Sequence, residues 1–255
     1  MVAFLKEIWN YRGMIKSLTR QDLRGRYKAS MLGFLWTFIN PLLQLLVYTF
    51  VFGYILKNPA DQYYLFLFVA LVPWIFFSSC LTGGSGLLIS YKDMLKKIYF
   101  PREVLPISFT LTNLVNMLLT FIVMFVVLIF AGRGITLAIL YLPIIILIEI
   151  LLCAGITFIS SACTVYFRDL QHILGIVGMA WQFMTPIMYE IPAGLETLFA
   201  INPMTSVVIA YRDILYYGRA PQLSTLLWAV AFGVVMLVIG MLVFNRLKKG
   251  FVEEL

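Results

Sequence analysis

A chain of 255 residues could make one or two soluble domains, but 62% of it is hydrophobic and only 12% is charged. With a mean hydropathy of +0.95 it lacks the roughly one-quarter of charged residues that a surface in water needs, which excludes a separate soluble domain. The fold class expected is an all-α polytopic membrane protein, and the net charge of +7 is a matter of topology that calls for no nucleic acid.

Residues 1–30 have the pattern of a cytoplasmic amphipathic helix lying on the membrane. Phe4, Ile8, Tyr11, Ile15 and Leu18 make one apolar stripe, while Arg12, Lys16, Arg20, Arg24 and Lys28 recur every fourth residue on another face. Such a helix either anchors the chain or also meets a partner or a charged headgroup. No signal peptide is expected, because no continuous apolar core followed by a small-residue cleavage site is present there.

Residues 31–255 then form one transmembrane domain. A spanning helix needs about 20 mostly apolar residues, and the candidates are about 31–56, 63–90, 107–131, a span after Pro143 to about 166, 173–189 and 223–244. Residues 135–142 read as an interfacial lead-in to the fourth span. The segment 190–222 holds two apolar stretches, each too short to span, split by the turn-forming pair Asn202-Pro203. It is expected to form two short re-entrant or interfacial helices, giving six spans in all.

Charge placement supports six. Seven basic residues precede span one, Lys92, Lys96, Lys97 and Arg102 follow span two, Arg168 follows span four, and Arg246, Lys248 and Lys249 follow span six. Only Lys57, Arg133, Arg212 and Arg219 fall on the other side. The asymmetry predicts that both termini are cytoplasmic. The loop 91–106 should hold two helical turns ended by Pro101, and it is either a docking knob or a solvated loop.

Within the spans the only charge expected is Glu149, which either packs helices or serves transport. Span one carries Ser30, Gly33, Thr37, Asn40, Gln44 and Tyr48 on one face, and span five carries Gly175, Gly178, Gln182, Thr185 and Tyr189. These stripes could line a route for a hydroxyl-rich solute or pack helices, since both uses need the same residues. Trp74, Phe76, Phe77, Trp181 and Phe183 could stack on sugar faces or belong to the ordinary aromatic belts.

Other chemistry is thinly represented. Cys80, Cys153 and Cys163 all sit in apolar runs and His172 is the single histidine, so neither a disulfide framework nor a metal site is expected. No phosphate-binding loop motif occurs, so no cofactor is expected on this chain. Gly83-Gly84-Ser85-Gly86 matches the serine motif of rhomboid-type intramembrane proteases. It stands in the second span, and His172 stands in a loop, which makes a protease the remote alternative. An ion-coupled carrier would carry more buried charge.

Four stretches in order resemble a known family: QDLRGRYKASMLGFLWTFINPL (21–42), FPREVLP (100–106), YFRDLQHILGIVGMAWQFMTPIMY (166–189) and INPMTSVVIAYRDILYYG (201–218). Together they resemble the permease subunits of ABC-2-type polysaccharide exporters, most closely those that move O-antigen, with wall teichoic acid permeases nearby. The resemblance implies a multi-pass protein of the bacterial inner membrane, not itself an enzyme. It would pair with a second copy of itself and with two copies of a nucleotide-binding subunit, where ATP and Mg would bind. The cargo would be a polysaccharide on a polyprenyl pyrophosphate lipid; a teichoic acid, capsule or drug exporter of the same fold is the alternative.

The resemblance also implies roles. Lys92, Asp93, Lys96 and Lys97, with Arg168 and Asp169, would couple to the ATPase. Spans one, two and five would surround the pore, with Thr37, Asn40, Gln44, Tyr48, Trp74, Trp181, Gln182, Thr185 and Tyr189 along the substrate path. The helices of 190–222 would gate its outer side. Arg24, Arg26 and Lys28, where span one meets the headgroups, would engage the lipid pyrophosphate.

Overall fold

The computed structural model describes residues 2–25, 32–134 and 136–255, with the side chains of residues 2–5 left aside. The side chain of Phe4 in the predicted apolar stripe, and residues Arg26, Lys28 and Ser30, therefore lie outside what is described. Every regular element among those described is helical.

Five helices are long and apolar enough to cross a bilayer: Gly33–Ile55, Tyr63–Gly83, Val104–Phe130, Leu137–Tyr166 and Leu223–Glu254. They correspond to predicted spans one to four and six. The first is composite, a turn at Gly33–Leu35, then α3 (Trp36–Tyr48), then a π-helical turn over Thr49–Ile55. The second is α4 (Tyr63–Ser78) with a π-helical turn at Ser79–Gly83. Nearly every residue of α4 is buried, so it forms the centre of the bundle. α7 (Val104–Phe130), α8 (Leu142–Tyr166) and α12 (Leu223–Leu247) complete the set. The lead-in to α8 is a tight turn over Leu137–Tyr141, with Pro143 in the first turn of the helix, where its missing N–H is no loss.

The predicted fifth span is shorter than expected. α9 (Leu170–Met184) has 15 residues, about 22 Å of helix against a hydrocarbon core of about 30 Å. It stops because Thr185 adopts extended backbone, and 185–190 continues as irregular chain.

The tightest helix pair is α8 with α12, and glycines permit it. A side chain at Gly155 would overlap the backbone of Met236, and one at Gly240 would overlap the backbone of Gly155. Gly233 lies against the Ile148 carbonyl, 3.1 Å from where a Cβ would stand. In lipid, where apolar surfaces gain little by meeting each other, such close backbone approach is a main source of association.

The N-terminal segment differs from a single surface helix. It breaks at Tyr11 into α1 (Val2–Asn10) and α2 (Arg12–Gly25). Its stripe is turned toward protein: Ile15 and Leu18 are buried in a second core with Leu88, Leu95, Val104, Phe158 and Phe244. Arg12, Lys16, Arg20 and Arg24 stay exposed on the opposite face. The Tyr91 hydroxyl ties α2 to the loop after span two by donating to Asp22 Oδ1 at 2.6 Å. Burial, and then the hydrogen bond to Asp22, holds this phenol well above the ordinary tyrosine range, so it remains a donor.

Both chain ends meet at this same end of the bundle. Lys248 Nζ pairs with Glu103 at 2.5 Å, and Tyr166 donates to the Leu247 carbonyl at 2.8 Å. At the opposite end Arg133 gathers three loops: it pairs with Asp61 at 2.9 Å, donates to Gln62 at 3.1 Å and donates to the Tyr216 carbonyl at 3.0 Å.

Candidate functional site

The break after α9 is where the sequence reading and the structure differ most. Irregular backbone inside a membrane bundle leaves carbonyls that water cannot satisfy, so the protein must supply donors. It does so with side chains distant in sequence. The Met184 carbonyl accepts from Asn202 Nδ2 at 3.2 Å, and the Ile187 carbonyl accepts from Arg212 Nη2 at 2.6 Å. The Met188 carbonyl accepts from Tyr63 Oη at 2.9 Å and from Asn58 at 3.3 Å. The Tyr189 carbonyl accepts from Arg212 Nη1 at 3.4 Å.

Asn202 is the pivot. Its Oδ1 accepts from Trp181 Nε1 at 2.9 Å and from the Met204 amide at 3.0 Å, and its Nδ2 also donates to Thr185 Oγ1 at 2.9 Å. One side chain thus caps the following helix, α11 (Pro203–Leu215), and pins the end of α9. The Asn-Pro pair foreseen as a turn is this cap, with Pro203 at the first helical position.

The two helices expected in 190–222 are present as α10 (Glu196–Ala200) and α11. α11 lies inside the bundle: every residue except Ile209 is buried, because it packs against α4, α8 and α12. This placement corrects the expectation of a single buried charge. Arg212, taken as a loop residue outside the spans, is 5% exposed, with its guanidinium 3.5 Å from the centre of the Phe66 ring. Asp213 beside it is also buried and pairs with Arg219 at 2.7 Å. Glu149 is fully buried and accepts from the Tyr211 hydroxyl at 2.6 Å, while its Oε1 has no hydrogen-bond partner among the described residues.

The proposed substrate-path residues divide. Trp74 is 2% exposed, inside the core against Phe77. Thr185 is completely buried in the Asn202 knot. Gly178 faces Leu81 and Thr82 and Gln182 donates to Tyr48 at 3.1 Å, while Gly175 is exposed with open space around it. Trp181 is half-buried, edge-on to Phe77, and Tyr189 is half-buried against Phe199. Ile176, Met179, Phe183 and Met184 form the exposed side of α9. Part of the polar stripe of α9 meets this chain and part is left open, and both packing and a solute path use the same spacing.

In span one Thr37 is buried and Asn40 exposed, and both line a cleft of about 440 Å³ between α3, α4 and α7. Asn113, Asn116 and Thr120 of α7 line its other side. These three were legible by the same three-and-four spacing that singled out span one. Gln44 and Tyr48 continue the span-one face, half-buried.

At the basic end, the predicted knob is α6 (Lys92–Lys97). Lys92, Asp93, Lys96 and Lys97 are exposed while Leu95 and Phe100 anchor it from beneath, and Tyr99 is 98% exposed beside it. Arg168 and Asp169 are exposed in the short loop after α8. That loop adjoins the end of span two through Gln171, whose side-chain nitrogen lies 3.2 Å from where a Cβ on Gly86 would stand. Arg24 is exposed at the end of α2.

The protease alternative finds no support in this geometry. Ser85 is fully buried and donates to the Thr82 carbonyl at 2.5 Å, whereas His172 is exposed on α9.

A bundle of long apolar helices with a charged helical knob at one end is that of a multi-pass membrane protein. The chain belongs to the ABC-2 type transporter family, whose pattern matches residues 14–216. This is a family of transporter permease subunits and not of enzymes. The chain is 35% identical to the O-antigen export system permease protein RfbA of Myxococcus xanthus, across 100% of both proteins. It is 32% identical to the protein of the same name from Klebsiella pneumoniae, across 93% of each. With the polysialic acid transport protein KpsM of Escherichia coli it shares 25% identity over 94% of this chain and 95% of that one.

Proposed function

We propose that this chain is the membrane permease of an ATP-driven exporter of polysaccharide, with O-antigen carried on polyprenyl pyrophosphate as its cargo. The observation that carries the reading is the end-to-end match to a relative named as an O-antigen export permease. The chain works as one half of a homodimeric pore in the bacterial inner membrane, both termini in the cytoplasm. Each half binds a separate nucleotide-binding subunit, which holds ATP and Mg and hydrolyses the nucleotide.

In this reading α6 is the coupling element. Its Lys92, Asp93, Lys96 and Lys97 present charge on a surface pinned by Leu95, and Arg168 and Asp169 lie on the same side. Motion of the ATPase passes through α6 into α4, the central helix, and through the Gln171 contact into α9. α9 with the irregular segment 185–190 serves as the fifth of six membrane crossings, and α10 and α11 form the outer gate. Arg24, with Arg26 and Lys28, offers the cationic face that a pyrophosphate headgroup needs at the cytoplasmic surface. A capsule exporter is the second reading, favoured by the weaker match to the polysialic acid transport protein.

Purification of the chain from its native membrane tests the proposal. A stoichiometric subunit bearing a phosphate-binding loop should copurify, and Lys96→Glu with Lys97→Glu should release it. A chain that purifies alone from intact membranes would refute the reading.

A further inference from the structure

A groove of about 890 Å³ separates the N-terminal helices from α7. Ile8, Ile15 and Leu23 line one wall, Leu111 and Val115 line the other, and Arg12, Lys16 and Arg20 stand along it. We propose that this groove holds one anionic phospholipid of the bilayer, with an acyl chain between α2 and α7 and the phosphate on Lys16 and Arg20. The inference needs only a membrane-embedded bundle and stands apart from the identity of the exported cargo. The lipid is a resident of the fold that helps to seat α2 on α7.

Depth and charge choose the occupant. α7 begins at Val104, so Leu111 and Val115 lie about 10 and 16 Å along its axis, at the depth of acyl chains, and both are only half-buried. Thr19 donates to the Ser108 carbonyl at 3.3 Å and holds α2 across the start of α7. Trp9, 67% exposed, also lines the groove, and its side chain suits the headgroup boundary.

Arg12, Lys16 and Arg20 recur every fourth residue, so they follow one another along α2 at about 5.4 Å per turn. Like charges at this spacing repel, and an anion set among them relieves the repulsion. Arg12 already donates to the Trp9 carbonyl at 3.0 Å and lies 5.2 Å from the centre of the Trp9 ring, so Lys16 and Arg20 are the pair that meets the phosphate. Residues 1–31 contain two carboxylates, Glu7 and Asp22, and both are engaged elsewhere. Asp22 accepts from Tyr91, and Glu7 lines a different cavity with Arg102, Lys248 and Lys249. A soluble anion would use the cations and leave the apolar walls bare, and a neutral lipid would do the reverse. An anionic phospholipid satisfies both.

The test is native mass spectrometry of the full chain released from nanodiscs that hold phosphatidylglycerol and phosphatidylcholine with the same acyl chains in equal amounts. One phosphatidylglycerol should be retained per chain, in clear preference to phosphatidylcholine. Lys16→Gln with Arg20→Gln, both at exposed positions where folding is not at stake, should lower its retention about thirtyfold, the weight of two basic side chains at a charged membrane surface. Val115→Phe fills the groove without altering charge and should lower retention as well. Lys249→Gln, which lines the other cavity, should leave it unchanged. Retention of neither lipid, equal retention of both, or phosphatidylglycerol undiminished in the two groove variants would overturn the proposal. Displacement of phosphatidylglycerol by a polyprenyl-pyrophosphate-linked glycan would overturn it too, because the groove would then belong to the cargo.

Discussion

Replacing Arg212 with methionine tests the account of the 185–190 break. Methionine fills a similar volume and suits a membrane interior, so an arginine without a structural task would be replaced at a gain. Here the guanidinium makes one strong bond, to the Ile187 carbonyl at 2.6 Å, and longer ones to Tyr189 at 3.4 Å and Phe66 at 3.5 Å. Stranding the Ile187 carbonyl costs about 1–3 kcal/mol, and losing the cation–π contact with Phe66 costs about 2 more. Removing the desolvated charge returns part of this, leaving a net destabilisation of about 2–4 kcal/mol. At roughly 2–4 °C per kcal/mol for a chain of this size, the midpoint of heat-induced aggregation in detergent should fall by about 5–15 °C. Arg212→Lys keeps the charge and loses the fork, so it should fall between methionine and wild type. An Arg212→Met protein within about 1 °C of wild type would refute the view that this side chain holds the break closed.

Three further outcomes follow from the packing. Gly155→Leu places a side chain into the backbone of Met236. It should prevent α8 and α12 from closing and abolish a monodisperse peak in size-exclusion chromatography, whereas Gly175→Leu, with open space around it, should be tolerated. Asn202→Ala removes the cap of α11 and the acceptor for Trp181, a loss of about 2–4 kcal/mol, and should shift and broaden tryptophan fluorescence. Tyr91→Phe deletes the link to Asp22, costs about 1 kcal/mol, and should speed amide hydrogen exchange across α2. Because the folded phenol titrates above its ordinary value, that link should hold from neutral to mildly alkaline pH and fail only as pH rises through the raised value.

Much of this fold was legible from hydrophobic run length, because a bilayer imposes the length of each crossing. The α6 knob was legible as a charged stretch before Pro101, although the helix already stops at Lys97, and Ile98 is extended. The α8 lead-in was legible from Pro143. The fate of Arg212 was not. Its sequence, YRDILYYGR, reads as a polar loop, and the carbonyls that draw it inside belong to a separate segment 23–25 residues earlier. Trp74 was illegible for another reason: α4 is apolar on all sides, so its sequence does not say which side faces protein. The stripe on α9 shares its spacing with pore linings and packing faces alike. Asn113 and Asn116 did carry a readable signal, polar residues at helical spacing in an apolar span, but in a span for which the sequence reading named no role.

The most direct measurement of the central claim is glycan movement in proteoliposomes holding this chain with its copurified ATPase. Fluorescent lipid-linked glycan inserted in the outer leaflet, on the side bearing α6, should become protected from an added glycosidase only when ATP is supplied. Lys96→Glu with Lys97→Glu should abolish the protection. Protection that is independent of ATP, or that survives loss of the ATPase, would contradict the account.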